Sequence, residues 1–272
     1  MKTLLVATDF SAAALNAAYY ASDMALAINA DIVLLNTYDI PVSYMELPVA
    51  ANFDSLQKDA ETELEKLKTD LVNRTGNKIN ITTTAMQAVF FEGLKAVCEK
   101  VHPYAVIMGS QGTTAADHLL FGSHTTTAMK NLNWPLITVP KEGRFSAVKK
   151  IGLACDFRKV INTVPASEIK LLLQDFDAHL HVLNIGKEET FDPEIVFQSG
   201  LLEEMLLPVK VSYHFINNKD TDAGIIDFVE KNNIDLLIAL PRRHSLLDQL
   251  IHKSHTRQFI MHSHVPVMVL HH

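Results

Sequence analysis

The feature that most constrains this chain is an internal repeat. Leu4-Leu-Val-Ala-Thr-Asp9-Phe10 and Ile151-Gly-Leu-Ala-Cys-Asp156-Phe157 are both apolar runs closed by Asp-Phe, and the aspartates stand 156 − 9 = 147 residues apart. At an offset of 184 − 36 = 148, Ile32-Val-Leu-Leu-Asn36 lies over Leu180-His-Val-Leu-Asn184. Further on, Gly93 matches Gly224, Ser123-His-Thr125 matches Ser254-His-Thr256 and Pro135 matches Pro266, all at 224 − 93 = 131. The second copy is therefore shorter by 148 − 131 = 17 residues between Asn36 and Gly93. Self-similarity of this kind means one architecture built twice. The polar Lys141-Glu-Gly-Arg144 is the natural joint, dividing the chain into 1–144 and 145–272.

Within each copy, short β-rich runs alternate with helical patterns, the signature of a parallel sheet flanked by helices. Strands are expected at 3–8, 32–38, 79–85, 104–108 and 135–139, and again at 150–155, 179–185, 209–215, 235–240 and 266–270. The fold class is α/β: two tandem open parallel five-stranded sheets with helices on both faces. Ser11 can cap a first helix rich in alanine, and Leu56, Ala60, Leu64, Leu67 and Leu71 line one face of a longer second helix.

At the junction after the fourth strand, Gly109-Ser-Gln-Gly112 leads through nine residues to Gly122-Ser123, spaced G-x2-G-x9-G-S. Glycines let amide N–H groups approach an anion, and the helix start that follows adds unpaired N–H groups and its positive dipole end. Ser123 and Thr125 bring hydroxyls to the same place. The letters also suit a glycine-punctuated crossover loop before an ordinarily capped helix, and Asp9 also suits a helix-capping carboxylate.

These residues carry a resemblance to the universal stress protein family over essentially the whole chain: Val6-Ala-Thr-Asp9-Phe-Ser11, the loop from Gly109 to Ser123, and the closing Trp134-Pro-Leu-Ile-Thr-Val-Pro140. The resemblance implies a Rossmann-like sheet of the adenine-nucleotide α-hydrolase type and, where the glycine motif is intact, ATP binding. By position it implies that Asp9 meets the adenosine end with Ala7 and Thr8 on the same wall, and that Thr37 offers backbone groups to adenine. Met108, Gly109, Gly112, Gly122, Ser123, His124 and Thr125 would complete the site around ribose and phosphates. A hydrophobic residue is more usual where Thr37 stands. Family members pair through their last strands, which implies an internal pseudo-dimer of the two copies, with a further homodimer open. The protein partner is not indicated.

In the second copy Leu240, Arg243 and Lys253 replace the three glycines, so no ATP of the family kind is expected there. Arg242, Arg243 and Lys253 suit a solvated loop or an anion contact. ATP, with AMP and ADP as alternatives, is the expected ligand of 1–144. The loop lacks a Walker-type lysine, so phosphate charge is expected to be met by backbone N–H groups and Mg²⁺ or Mn²⁺. For the same reason, and because no SGG-type loop follows the first strand, efficient phosphoryl or nucleotidyl transfer is not expected. Slow hydrolysis and an interaction module without nucleotide stay open.

A formal net charge of −7 and a pI near 6.0 argue against a phosphate-backbone partner. Leu4 to Ala7 is too short for a signal-peptide core or a membrane span, giving a cytoplasmic expectation. Cys98 and Cys155 form no CxxC motif and are expected as reduced thiols; Cys155, which replaces Thr8 in the second copy, suits a small buried residue filling a strand end or a reactive thiol. Among the C-terminal histidines, His252 and His255 at helical spacing suit a metal, without a carboxylate or cysteine to join them. Asp39 to Val49, around Tyr44 and Met45, suits either a lid over the adenine or a stiff loop.

Overall fold

A computed structural model describes residues 1–39, 53–110, 123–186, 193–241 and 263–271. The chain divides into two compact units, Met1–Phe145 and Ser146–His272. No helix among the described residues is long and apolar enough to cross a membrane.

Unit 1 runs β1 (Lys2–Ala7), α1 (Ala12–Ile28), β2 (Ala30–Tyr38), α2 (Phe53–Thr75), β3 (Ile81–Gln87), α3 (Phe90–Val101), β4 (Ala105–Gly109), α4 (Ser123–Asn131) and β5 (Leu136–Val139). Its strands lie in the order β3-β2-β1-β4-β5, all recorded pairings being parallel. Leu4, Leu5 and Val6 are fully buried, so β1 is covered on both faces, which is why its sequence is a continuous apolar run. Ser11 caps α1, its Oγ accepting from the Ala14 amide at 3.2 Å. Ala13, Ala14, Ala17, Ala18, Ala21 and Ala25 of α1 are buried, and the helix ends where Asn29 turns left-handed. In α2 the expected stripe holds at Ala60, Leu64, Leu67 and Leu71, while Leu56 is 40% exposed because it sits at the helix's first turns. The exit segment is clasped by α1: Asn16 Nδ2 donates to the carbonyls of Pro140 and Gly143 at 3.0 and 2.9 Å.

Unit 2 runs β6 (Lys150–Ala154), α5 (Val160–Thr163), α6 (Ala166–Phe176), β7 (His179–Gly186), α7 (Pro193–Leu206), β8 (Val211–Asn217), α8 (Thr221–Asn232), β9 (Leu236–Ala239) and β10 (Val267–Val269). Its order, β10-β9-β6-β7-β8, is that of unit 1 counted from the other edge, again with parallel pairings. The copies differ in two helices. The counterpart of α1 is split into α5 and α6, because Arg158 stands where Ser11 capped and Pro165 cannot continue a helix. The uncapped Val160 amide is met instead by buried Gln198 Oε1 at 2.9 Å. The 17-residue shortening falls partly on the second helix, 14 residues in α7 against 23 in α2.

Candidate functional site

Where β1 lies between β2 and β4, the connections of unit 1 leave in opposite directions. A parallel sheet opens a crevice at such a point, beyond the carboxyl ends of its strands. Ala7 ends β1, and Met108 and Gly109 end β4, so both sequence-predicted segments border this crevice.

The turn after β1 is held by its own short bonds. The Thr8 amide donates to the Leu35 carbonyl at 2.9 Å, and the Thr8 carbonyl accepts from buried Asn36 Nδ2 at 2.8 Å. Thr8 Oγ1 accepts the Phe10 amide at 3.0 Å, and Asp9 Oδ1 accepts the Ser11 amide at 3.1 Å. Phe10 takes the left-handed conformation, φ 61°, uncommon for a bulky side chain. Asp9 is exposed at the rim, and its carboxylate is an acceptor-only group.

Unit 2 repeats the turn bond for bond. Cys155 donates its amide to Leu183 O at 2.9 Å, Asn184 Nδ2 holds the Cys155 carbonyl at 2.9 Å, and Cys155 Sγ and Asp156 Oδ1 accept the amides of Phe157 and Arg158. Phe157 is left-handed as well, φ 52°. The strained phenylalanine thus belongs to the shared strand-to-helix turn, since the copy without the glycine loop has it too. In unit 2, however, Phe157 is 1% exposed, packed toward Tyr213 and Phe215 at ring separations of 6.2 and 5.9 Å.

Gly109 has a packing reason to be glycine. A Cβ there would stand 2.8 Å from the Ala13 carbonyl carbon and 2.9 Å from its oxygen, so the end of β4 touches the first turn of α1 with no room between. Buried Thr125 turns its Oγ1 onto the Gly109 carbonyl at 3.2 Å, tying α4 to β4. His124, exposed in the first turn of α4, stacks on Phe90 with ring centroids 4.3 Å apart and planes at 12°. Thr37, near the end of β2, faces α3: a Cβ at Gly93 would meet its Cγ2 at 2.7 Å. At the equivalent glycine of unit 2, Gly224, a Cβ would meet Asn218 Cβ first, at 3.1 Å, and Ile185 Cγ1 at 3.4 Å.

Of the sequence-predicted residues, Ala7, Thr8, Asp9, Met108, Gly109 and Thr125 are brought to the carboxyl ends of β1 and β4. Thr37 stands one strand over and His124 on α4. Gly112 and Gly122 lie outside the described residues, as does the Ser123 side chain, although Ser123 begins α4. Tyr44, Met45, Arg242, Arg243, Lys253, His252 and His255 lie outside them too. Among the described residues no three or more His, Cys, Asp or Glu side chains are placed so that they could hold a metal ion together. Asn36 and Phe90 are neighbours of the site that pattern reading did not assign. For Asn36 the signal was present, since Asn184 aligns with it; nothing in the sequence pairs Phe90 with His124.

Both thiols are buried and unpaired with one another. Burial, with the Glu99 charge beside it, pushes the Cys98 thiol up to about 12.

Comparison with known proteins gives a consistent picture. The model of the universal stress protein family matches residues 1–140 and again 149–271. The universal stress protein Slr1230 of Synechocystis is 24% identical over 98% of this chain and 99% of its own length. The universal stress protein MJ0531 of Methanocaldococcus jannaschii is 25% identical over 52% of this chain and 82% of its own. Among solved structures, a universal stress protein from Archaeoglobus fulgidus aligns over 99% of this chain and 98% of that one, with a TM-score of 0.74 and 17% identity. Two family matches that together span nearly all 272 residues, over two copies of one parallel α/β unit, establish that this chain belongs to the universal stress protein family.

Proposed function

We propose that this chain is an ATP-binding regulatory protein of the stress response, acting in the cytoplasm and holding one adenine nucleotide, in unit 1. The observation that carries the reading is the gathering of Asp9, Gly109 and Thr125 at the reversal of strand order, next to the start of α4. A carboxylate on one lip can accept from ribose hydroxyls, and helix-start amides on the other suit phosphate oxygens. The donor set fits a nucleotide: Asp9 with the Ala7–Thr8 wall and the Thr37 backbone toward the nucleoside, Met108 and Gly109 beneath it, and Gly112, Gly122, Ser123, His124 and Thr125 toward the phosphates. Asp9 is the one carboxylate in this set, so Mg²⁺ or Mn²⁺ would be carried largely by phosphate oxygens and water, shielding phosphate charge. Within these residues no lysine is placed to draw charge from a leaving phosphate, which favours a nucleotide that stays bound and biases conformation over one that is turned over.

The test begins with denaturing freshly purified protein and separating any released nucleotide by chromatography. Titration of the emptied protein with ATP and Mg²⁺ should then saturate near one equivalent per chain. Asp9→Ala should weaken binding at least about tenfold, the order of one lost charge-assisted contact. Gly122→Lys, which imitates unit 2, should abolish it. Absence of released nucleotide together with no thermal shift on adding ATP and Mg²⁺ would sink the proposal.

A further inference from the structure

Three histidines of unit 2 meet on one face of its outer strands. His181 Nδ1 and His214 Nε2 are 3.0 Å apart, with the rings stacked at 5.2 Å and 21°. His179 lies edge-on to His181 at 4.8 Å and bonds through Nε2 to Ser212 Oγ at 2.8 Å. Phe228 of α8 covers His214 at 4.6 Å. All three rings are only partly exposed. Unit 1 has no such feature, since Asp31, Val33 and Thr84 occupy the aligned β2 and β3 positions.

The charges around this ladder are arranged against protonation. From β6, Lys150 acts on His181, and its Nζ is fixed at the carboxyl end of α8 by the Asn232 carbonyl at 2.9 Å. Lys149 is held at the end of α6, where it pairs with Asp177 at 3.0 Å. On α8, Asp227 pairs with Lys231 at 2.7 Å, Glu230 stands 3.6 Å from His264, and Asp222 is in the opposite end's first turn. Asp235 accepts the amides of Lys149 and Lys150 at 2.8 Å each. The charged neighbours that act on His181 are His179, His214 and Lys150, every one of them cationic or able to become so.

The bond between the two rings sets the order of events. In the neutral pair one nitrogen donates and the other accepts. One added proton leaves that bond intact, because N⁺–H still faces a lone pair. A second proton sets two N–H groups against each other at 3.0 Å, beside Lys150, and the pair cannot stay closed.

We propose that the His179–His181–His214 ladder is an acid-responsive latch that opens the β7–β8–α8 edge of unit 2 while unit 1 stays closed. The sense follows from linkage. Burial first, then its cationic neighbours, lower His181 to about 4, and burial and His179 lower His214 too. The open form therefore binds more protons than the closed one below the ordinary histidine value of about 6.5. The His181 contribution to stability is fully present above that, falls through the window down to about 4, and is lost below it. Each extra proton taken up shifts the opening equilibrium by about tenfold per pH unit.

The experiment is hydrogen exchange of the full chain followed by mass spectrometry at pH 7, 6 and 5, corrected for the intrinsic pH dependence of exchange. Protection of peptides covering β7, β8 and α8 should fall at least about tenfold from pH 7 to 5, while β1 and β4 change by less than about threefold. The double variant His181→Phe with His214→Phe keeps an aromatic ring at both positions, removes both partners of the bond, and should be flat across the range. His214→Gln, the milder change, should at least halve the response on a logarithmic scale. An equal loss of protection in both units would overturn the proposal. So would a wild-type response in either variant, or protection of β7 and β8 by equimolar Zn²⁺ at pH 7, which would make the cluster a metal site.

Discussion

Gly109→Ala gives the sharpest test of how unit 1 is built. The added Cβ would lie 2.8 Å and 2.9 Å from the carbonyl carbon and oxygen of Ala13, and 3.1 Å from its Cβ. Ordinary carbon contacts are about 3.5–4.0 Å, so β4 and the start of α1 must part by roughly half an ångström or more. The two nearest atoms are backbone, and no side chain can swing away to relieve them. Overpacking of this kind costs about 1–3 kcal/mol. At about 2 kcal/mol the folding equilibrium moves roughly 30-fold, and a domain of this size loses on the order of 3–9 °C in Tm across the range. Trp134, the single tryptophan, lies in unit 1 and reports its unfolding in urea by fluorescence. Adding Ala13→Gly removes only the 3.1 Å contact, so it should not rescue the variant. A loss below about 0.5 kcal/mol at unchanged m-value, or full rescue by Ala13→Gly, would refute the close-approach argument and leave ligand contact as the reason for Gly109.

Three further outcomes follow from the same geometry. Asn36→Leu strips the buried Thr8 carbonyl of its side-chain donor and should cost about 1–3 kcal/mol in urea unfolding, and Asn184→Leu should do the same to unit 2 through Cys155. Asp9→Ala, at an exposed position where Oδ1 accepts the Ser11 amide, should reduce ATP affinity while lowering Tm by no more than about 2–4 °C; a larger Tm loss with affinity unchanged would return Asp9 to a capping role. Cys98, with its thiol raised to about 12, should resist iodoacetamide at pH 8 in the native state and react only on unfolding, as read by mass spectrometry.

Much of the architecture could be read from letters, and the reason is local. Parallel strands covered on both faces must be continuous apolar runs, so Leu4 to Ala7 or Ala105 to Met108 announce themselves, and the repeat fixes their correspondence. The site was legible to the extent that strand ends determine it: Asp9 and Gly109 follow directly from where β1 and β4 stop. What stayed hidden depends on distances between helices and sheet. Gly109 reads as a loop glycine until Ala13 is seen against it, and His124 finds Phe90 only once α3 and α4 are folded. The exposure of Leu56 likewise reflects where α2 begins to meet the sheet, which periodicity does not contain. The division of the first helix in unit 2 had its cause in plain view at Pro165, yet its consequence, an amide handed to Gln198, needed the third dimension.

The bond-for-bond duplication of the turn at Thr8 and Cys155 carries a consequence for how such a chain can change over time. Each turn is closed by main-chain groups, one asparagine and one small side-chain acceptor, and none of these comes from the glycine loop. A copy can therefore change its loop residues and still find its fold. Unit 2 differs from unit 1 around the same turn: its Phe157 ring is tucked into the core, and its outer strands carry a row of imidazoles.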